Sequence, residues 1–298
     1  MSGGGAPTSG LDGAPRTADR AASVGHQDIA AELLQAYDEA RLMPLLTARA
    51  GGFSLAEAFA VADRVRTLRI ARGERPLGYK IGFTNRTIWD RYGVHAPIWG
   101  PVWSTTVTVL DGTTHTIDLR GLVQPRLEPE VMFGFARTPR AGLSADELAG
   151  CIEWVAHGFE IVHTHFEGWR FAAADTVADY ALHGRLFVGP RVPMARFERP
   201  RADLAALRVR LFCGGRQVDE GVGTNVLDGP LDALRLWVDA MYAQPQRWPI
   251  VAGDIVTTGT ITDAYPMAPG HVYRSELSDP RLVGLELRTR SGSDSVSG

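Results

Sequence analysis

The chain has 298 residues, of which 45% are hydrophobic and 22% are charged, and its formal net charge is -3. This composition is typical of globular proteins with a large core. The charge does not favour a nucleic-acid or membrane-surface partner, and no apolar run approaches the roughly 20 residues that span a bilayer. The two cysteines are not spaced as metal ligands. We therefore expect a cytoplasmic protein that binds neither nucleic acid nor membranes.

The N-terminal quarter of the chain divides into a tail and a helical region. Residues 1–27 are rich in glycine, alanine and proline and lack the apolar core of a signal peptide, so we expect a disordered tail. Residues 28–76 carry apolar side chains at helical spacing and predict two helices, the first beginning near Asp28. The second helix has a capping box, Ser54 with Glu57, at its start.

Residues 77–290 read mostly as strands, and residues 291–298 as a loose polar tail. Asp111-Gly112 lies between two β-branched runs and predicts a hairpin. Helices are few here, and one opens at Pro230. Helices first and strands afterwards indicate an α+β fold with antiparallel or mixed sheets rather than βαβ units. The sequence contains no dinucleotide-binding glycine motif, phosphate-binding loop or nucleophile elbow.

Three glutamates form a candidate metal site. Glu128 and Glu130 are two residues apart on a predicted strand, so their side chains share a face. Glu160 lies on another apolar run, thirty residues further on. Carboxylates without nearby cysteine suit a hard cation such as Mg²⁺ or Mn²⁺. A solvated strand face is the alternative for Glu-x-Glu, but the apolar residues that follow indicate burial, and buried carboxylates need a partner.

Lys80 lies in the segment GYKIG, between a tyrosine and an isoleucine. If the side chain is buried, desolvation lowers its pKa towards neutrality, and Lys80 becomes a usable acid or base. An exposed strand lysine is the other interpretation.

Histidines and threonines supply further candidates. His163 and His165 are spaced to share one face of a strand, where they can bind metal or move protons; polar residues at a strand end are the alternative. Thr260 and Thr262 in GTIT can bind a substrate carboxylate, or can simply satisfy backbone groups.

In combination, these motifs resemble those of a known family. The segments that carry the resemblance run in order from Leu77 to Gly270: GYKIGFTN, GPVW, VQPRLEPEVMF, EIV, DTVAD, GVGTNVLDGPLDALRLW and AGDIVTTGTIT followed by PMAPG. They are similar to those of the fumarylacetoacetate hydrolase superfamily, in its branch of 2-keto-4-pentenoate hydratases and 4-oxalocrotonate decarboxylases.

The resemblance implies a β-rich mixed-sheet catalytic fold with a helical N-terminal region, and a homo-oligomer. It implies Mg²⁺ or Mn²⁺ on the three glutamates and Lys80 as the acid/base. Beyond the resemblance, we expect His163 or His165 to assist the proton transfer. The side chains and backbone expected beside the substrate are Gly82, Thr84, Arg126, Trp169, Thr260 and Thr262.

The sequence also departs from the family pattern. Ile98 stands where the hydratases usually have an aspartate, and the decarboxylases tend to be apolar there. His163 and His165 stand where an aspartate and an arginine are usual, and Tyr180 replaces an asparagine. These changes put the usual dicarboxylate substrate in doubt, and Trp169 gives a more aromatic pocket.

We therefore expect a divalent-metal-dependent lyase that acts on a 2-oxo acid through an enolate, closer to the decarboxylases or with an altered substrate. Two other functions remain open. One is a C–C hydrolase of acylpyruvate type, which needs a histidine-activated water. The other is a non-catalytic structural partner of a hydratase.

Overall fold

A computed structural model describes residues 17–86, 89–92, 94–244 and 248–290. None of the helices in these ranges is both long and apolar enough to cross a membrane. The α-helices are α1 (Thr17–Glu39), α2 (Leu55–Ala71), α3 (Trp89–Tyr92), α4 (Ala145–Ala149), α5 (Ala173–Ala178), α6 (Pro200–Ala205) and α7 (Pro230–Ala243).

The N-terminal helices differ from the sequence prediction at one end only. Helix α1 begins at Thr17, well before the predicted start near Asp28. Alanine occurs in disordered tails but also has the highest helix propensity, so the alanine content did not distinguish the two. The predicted N-terminal tail, residues 1–27, thus overlaps α1 from residue 17. Its residues 1–16, and the predicted C-terminal tail at 291–298, lie outside the described ranges. The capping box of α2 is confirmed, since Ser54 Oγ accepts from the Glu57 backbone N–H and the Glu57 carboxylate accepts from the Ser54 N–H.

The larger sheet is mixed and has the strand order β2-β1-β11-β5-β6-β7-β3, with β12 paired to β5 and β8 paired to β6. Strands β1/β11 and β3/β7 run parallel, and the other pairs are antiparallel. Its members are β1 (Pro76–Gly82), β2 (Ile98–Trp103), β3 (Val107–Val109), β5 (Arg126–Phe135), β6 (Ile152–Val162), β7 (His183–Val188), β8 (Val192–Pro193), β11 (Ile255–Thr260) and β12 (Tyr265–Pro266).

The second sheet has the order β10-β9-β13-β14-β4. Its members are β4 (Thr114–Ile117), β9 (Arg208–Cys213), β10 (Arg216–Val222), β13 (Val272–Leu277) and β14 (Glu286–Thr289). The hairpin predicted at Asp111-Gly112 is wrong. Strand β3 before it pairs in parallel with β7, and β4 after it pairs in parallel with β14, so this connection passes from one sheet to the other. Both strands pair with strands that are distant in the sequence, and the residues of a local turn do not determine such pairing.

The helical region and the larger sheet share one core. Leu33 of α1 and Val61 of α2 are fully buried in the same cluster as Phe133 of β5 and Val256 of β11. A second cluster joins the two sheets through side chains such as Leu127, Ile161, Leu211, Tyr273 and Leu287. The predicted α+β fold with mixed sheets is confirmed. The long central strands β5 and β6 carry Glu128, Glu130 and Glu160.

Candidate active site

The three glutamates converge at the centre of the larger sheet. Glu128 lies directly opposite Glu160 in the antiparallel register of β5 and β6, and Glu130 follows on the same face of β5. One carboxylate oxygen from each residue lies within 4.8 Å of the others. We call Glu128, Glu130 and Glu160 the carboxylate cluster. The grouping predicted from the spacing of the residues is therefore present in the structure.

Two members of the carboxylate cluster each use one oxygen and leave the other unbonded. Glu130 Oε2 accepts from the Gly259 backbone N–H at 2.8 Å, and Glu130 Oε1 has no hydrogen-bond partner. Glu160 Oε1 contacts His183 Nδ1 at 2.8 Å, whereas its Oε2 has no hydrogen bond and lies 3.4 Å from Lys80 Nζ. Both side chains are fully buried. Buried oxygens of this kind are the ligands that a hard divalent cation takes.

The pKa values of the carboxylate cluster also indicate a cation site. Burial, followed by repulsion from the other glutamates, raises the pKa of Glu130 well above its ordinary value. Burial likewise raises the pKa of Glu128 to about 7, against the opposing effect of Lys80. Burial acts in the same direction on Glu160, but Lys80 and His183 outweigh it and hold the pKa of Glu160 below its ordinary value. Three carboxylates with one lysine are an excess of negative charge that a divalent cation relieves.

Lys80, on β1, is buried beside the carboxylate cluster, and it is the only lysine in the sequence. Its Nζ donates to the Ala181 carbonyl oxygen at 3.1 Å. The predicted fall in its pKa is wrong. Burial acts in that direction, but the charges of the three carboxylates outweigh it and raise the pKa of Lys80 above the ordinary lysine value. Lys80 is therefore a protonated side chain in this arrangement.

A strained segment holds the lysine in place. Tyr180, Ala181 and Leu182 have φ angles of 57°, 51° and 66°, and we call them the left-handed turn. Non-glycine residues take this conformation only where the surroundings impose it. Gly100 on β2 provides the space, because a Cβ there would lie 2.9 Å from the Tyr180 carbonyl oxygen. The turn aims the Ala181 carbonyl at Lys80 and ends at Leu182, immediately before His183.

His183 is a site residue that the sequence reading did not single out. It is buried at the start of β7, and its ring nitrogens contact Glu160 Oε1 and Thr106 Oγ1, each at 2.8 Å. The local sequence, ALHG, contains no motif for this role. The only indication in the sequence was that His183 follows shortly after DTVAD, one of the segments that carry the family resemblance.

His163 and His165 lie elsewhere. Both are fully buried, and neither lines the pocket. His165 Nδ1 contacts Asp179 Oδ1 at 2.6 Å, and His163 Nδ1 accepts from the Val123 N–H at 3.3 Å. Their rings are 4.8 Å apart, and the Tyr180 ring lies 6.2 Å from that of His165. We call His163, His165, Asp179 and Tyr180 the histidine cluster; its contacts hold the two histidines away from the residues that line the pocket.

A pocket of about 580 Å³, including its open mouth, leads to Lys80 and Glu128. The substrate-binding candidates that line it are Gly82, Thr84, Arg126, Trp169 and Thr260. Thr262 does not line the pocket; it is buried and its hydroxyl donates to the Asp263 carbonyl oxygen. The lining also includes an apolar wall of Ile98, Val162, Phe171 and Leu182.

Arg126 and Trp169 form the polar side of the pocket mouth. The guanidinium lies 4.1 Å from the centre of the Trp169 ring, and no carboxylate of the described residues is in salt-bridge contact with it. Gln124 fixes the turn that carries Trp169: its carbonyl accepts from Trp169 Nε1, its side-chain oxygen accepts from the Gly168 N–H, and its amide donates to the carbonyls of Thr164 and Phe166. Arg126 is thus a positioned cation that makes no salt bridge with the described residues, although its charge acts on nearby Glu128.

Comparison with curated proteins gives relatives that span most of the chain. A 2-hydroxyhexa-2,4-dienoate hydratase of Comamonas testosteroni is 29% identical over 80% of this chain and 88% of its own length. A 4-oxalocrotonate decarboxylase of a Pseudomonas species is 29% identical over 83% and 93%. A 2-keto-4-pentenoate hydratase of Paraburkholderia phymatum is 30% identical over 74% and 81%. No protein-family model matches the sequence.

The fold has a close counterpart among solved structures. A 4-oxalocrotonate decarboxylase from Pseudomonas putida G7, complexed with magnesium and adipate, superimposes with a TM-score of 0.81 at 23% identity, covering 92% of this chain and 99% of the other. The sequence relatives and the shared fold agree with the resemblance read from the motifs. The chain belongs to the hydratase/decarboxylase branch of the fumarylacetoacetate hydrolase superfamily.

Proposed function

We propose that this protein is a divalent-metal-dependent lyase that acts on a 2-oxo acid. One observation carries the proposal: the buried carboxylate cluster leaves oxygens of Glu130 and Glu160 without hydrogen bonds, next to the only lysine of the chain. The relatives named as hydratases and a decarboxylase support the same enzyme class.

Glu128, Glu130 and Glu160 would hold Mg²⁺ or Mn²⁺. When bound, such an ion supplies a Lewis acid that polarises the carboxylate and keto oxygens of a 2-oxo acid. The donor set supports this choice, because the cluster consists of carboxylate oxygens and the described part of the chain places no cysteine within it. The raised pKa values of Glu128 and Glu130 add support, since these carboxylates need positive charge to stay ionised.

Lys80 would transfer the proton to or from the carbon chain of the substrate. Lys80 lines the pocket, and the hydrogen bond from its Nζ to the Ala181 carbonyl fixes its direction. A lysine with an ordinary pKa of about 10.4 carries a proton at neutral pH, so the side chain first acts as an acid.

Arg126 would pair with the carboxylate that every 2-oxo acid carries at C1. The guanidinium makes no salt bridge with a carboxylate of the described residues and is held over Trp169. Charge-assisted pairs of this kind orient planar carboxylates. Gly82, Thr84 and Thr260 would complete the polar contacts, since they line the same pocket.

The apolar wall favours decarboxylation. Ile98 lines the pocket where the resemblance leads one to expect an aspartate in a hydratase, and Phe171 and Leu182 extend the same wall. A distal carboxylate against this wall loses its hydration, which destabilises the charged group relative to neutral CO2. Loss of CO2 breaks the C–C bond and leaves its electron pair in the conjugated enolate, which a proton then quenches. Hydration is the second candidate, because two relatives are named as hydratases.

The other two functions have less support. A C–C hydrolase needs a histidine to activate water, and no histidine is among the residues that line the described pocket. A non-catalytic partner has no need for a pocket lined by a positioned lysine, an arginine and one member of a cluster of three carboxylates.

The test is the ultraviolet absorbance of 2-oxohex-3-enedioate and 2-hydroxypenta-2,4-dienoate, each mixed with enzyme and Mg²⁺, and then with excess EDTA. We expect EDTA-sensitive consumption of the first compound. Consumption of 2-hydroxypenta-2,4-dienoate alone would identify the protein as a hydratase and not a decarboxylase. Mg²⁺ binding without turnover of either compound would move the search to other 2-oxo acids, and absence of Mg²⁺ binding would refute the lyase.

Calorimetry of two matched variants tests the metal ligands separately. Glu130→Gln removes one ligand charge, and we expect the loss of measurable Mg²⁺ binding. Glu153→Gln changes an exposed glutamate of the strand that carries Glu160, and its affinity should equal that of the unchanged protein. Equal affinities in both variants would exclude Glu130 as a ligand.

A further inference from the structure

His183 links the carboxylate cluster to a residue outside the pocket. One ring nitrogen contacts Glu160 Oε1 and the other contacts Thr106 Oγ1, both at 2.8 Å. All three side chains are buried, with relative exposures of 0% to 3%. Three buried polar groups in a row, each in contact with the next, restrict one another's rotation.

The direction of the first hydrogen bond follows from chemistry. An ionised carboxylate only accepts hydrogen bonds, so His183 Nδ1 carries a hydrogen and donates it to Glu160. In a neutral imidazole, Nε2 is then the acceptor, and the Thr106 hydroxyl donates to it. Thr106 Oγ1 in turn accepts from the Trp103 backbone N–H at 3.1 Å, which anchors the far end of the series in β2.

This series determines which oxygen of Glu160 is available. Oε1 is occupied by His183, so Oε2 is the oxygen that faces Lys80 at 3.4 Å and has no hydrogen bond. In Glu130, the Gly259 N–H donates to Oε2, so Oε1 is the oxygen without a hydrogen bond. Without the His183 contact, Glu160 could rotate and pair with Lys80 through either oxygen.

The left-handed turn explains how His183 reaches Glu160. The turn ends at Leu182, immediately before His183, and the register of β6 and β7 pairs His183 with Val162 after an irregularity. The same turn directs the Ala181 carbonyl to Lys80. One strained segment therefore places both the lysine contact and the histidine contact.

We infer that Thr106 and His183 are positioning residues that hold Glu160 in its cation-binding conformation. The inference rests on the proposed function, because it concerns a ligand of the proposed metal site. Hydrogen-bond partners of metal ligands typically contribute 10- to 100-fold to metal affinity. His183 is not among the residues that line the pocket, so its effect passes through Glu160.

The test is Mn²⁺ binding to the full chain, without substrate, measured by electron paramagnetic resonance. We expect His183→Ala to weaken Mn²⁺ binding by about 10- to 100-fold. His183→Asn retains a side-chain N–H near the Nδ1 position and should recover part of the loss. His271→Ala, which alters an exposed histidine of the second sheet region, is the control and should bind as the unchanged protein does.

A second pair of variants keeps the test valid if His183→Ala fails to fold. Thr106→Val removes the hydroxyl at nearly constant volume and should weaken binding several-fold, whereas Thr106→Ser retains the hydroxyl and should restore it. Thr108→Val, on β3, is the matched control, since its side chain is outside the series. Circular dichroism would establish that each protein is folded.

Two outcomes would overturn the inference in different ways. Folded His183→Ala and Thr106→Val proteins with Mn²⁺ affinity within twofold of the unchanged protein would refute the positioning role and leave the proposed function intact. Failure of the unchanged protein to bind Mn²⁺ would refute the proposed function, and the inference with it.

Discussion

Two polar clusters lie near the left-handed turn, and they differ in how their charges are balanced. Lys80, beside the carboxylate cluster, donates to the Ala181 carbonyl of the turn, and Tyr180 belongs to both the turn and the histidine cluster. The three glutamates of the carboxylate cluster have one lysine beside them, and Glu128 lines the pocket. In the histidine cluster, the Asp179 carboxylate accepts from the Thr164 hydroxyl and from both the backbone and the ring of His165, and its two histidines do not reach the pocket.

This difference in charge balance assigns ligand binding to the carboxylate cluster and structural stability to the histidine cluster. Buried charge that is matched within the protein fixes conformation, whereas unmatched charge facing a pocket requires a ligand. Removing residues from the first cluster should therefore alter binding and turnover, and removing them from the second should alter stability.

The largest effect is expected for Lys80→Met. Loss of the proton-transfer group should reduce turnover by about 10²–10⁴-fold. Lys80→Arg is the informative companion, because it keeps the positive charge but does not release a proton near neutral pH. Steady-state assays of both proteins measure the effect. Normal turnover of the arginine variant would mean that charge alone, and not proton transfer, is required.

Asp179→Asn should mainly affect stability. Breaking the buried pair with His165 is expected to lower the free energy of unfolding by about 3–5 kcal/mol. Urea unfolding measures this change, and Asp111→Asn, at an exposed aspartate, should stay within about 0.5 kcal/mol of the unchanged protein. A folded Asp179→Asn protein that has full stability but weak Mg²⁺ binding would reverse the roles assigned to the two clusters.

Arg126→Met should raise KM by about 10- to 100-fold, the equivalent of losing a charge-assisted hydrogen bond of about 1.5–3 kcal/mol. The increase should be similar for 2-oxohex-3-enedioate and 2-hydroxypenta-2,4-dienoate, because both carry the C1 carboxylate. Arg191→Met is the control, since Arg191 also stacks on a tryptophan, Trp154, at 4.4 Å but does not line the pocket. An effect on the dicarboxylate alone would assign Arg126 to the distal carboxylate.

A smaller effect concerns His163 and pH. Burial, with repulsion from His165, lowers the pKa of His163 to about 3. The unfolded chain binds a proton near the ordinary histidine pKa of about 6.5, so the unfolded state gains stability as the pH falls below that value. Between the two values, this histidine costs the folded protein about 1.4 kcal/mol per pH unit.

His163→Asn removes that titration and retains an oxygen that can accept from the Val123 N–H. The unfolding free energies of the variant and the unchanged protein should therefore draw together as the pH falls from about 6.5, or cross, at about 1.4 kcal/mol per pH unit. Urea titrations at several pH values measure the slope. Parallel curves would show that His163 is not the neutral buried group inferred from its contacts.

Local patterns in the sequence predicted a good part of the fold and the site. Alternation along β5 placed Glu128 and Glu130 on one face, and the capping box of α2 is confirmed. These features depend on residues close together in the chain, where spacing alone decides geometry.

Contacts between distant segments were decided by the tertiary structure. The sequence did not determine that β3 and β4 belong to different sheets, because strand pairing depends on partners far along the chain. It placed His163 and His165 at the site, where the fold places His183 instead. It predicted a lowered pKa for Lys80, because burial can be read from neighbouring residues but the three carboxylates that reverse its effect come together only in the folded sheet.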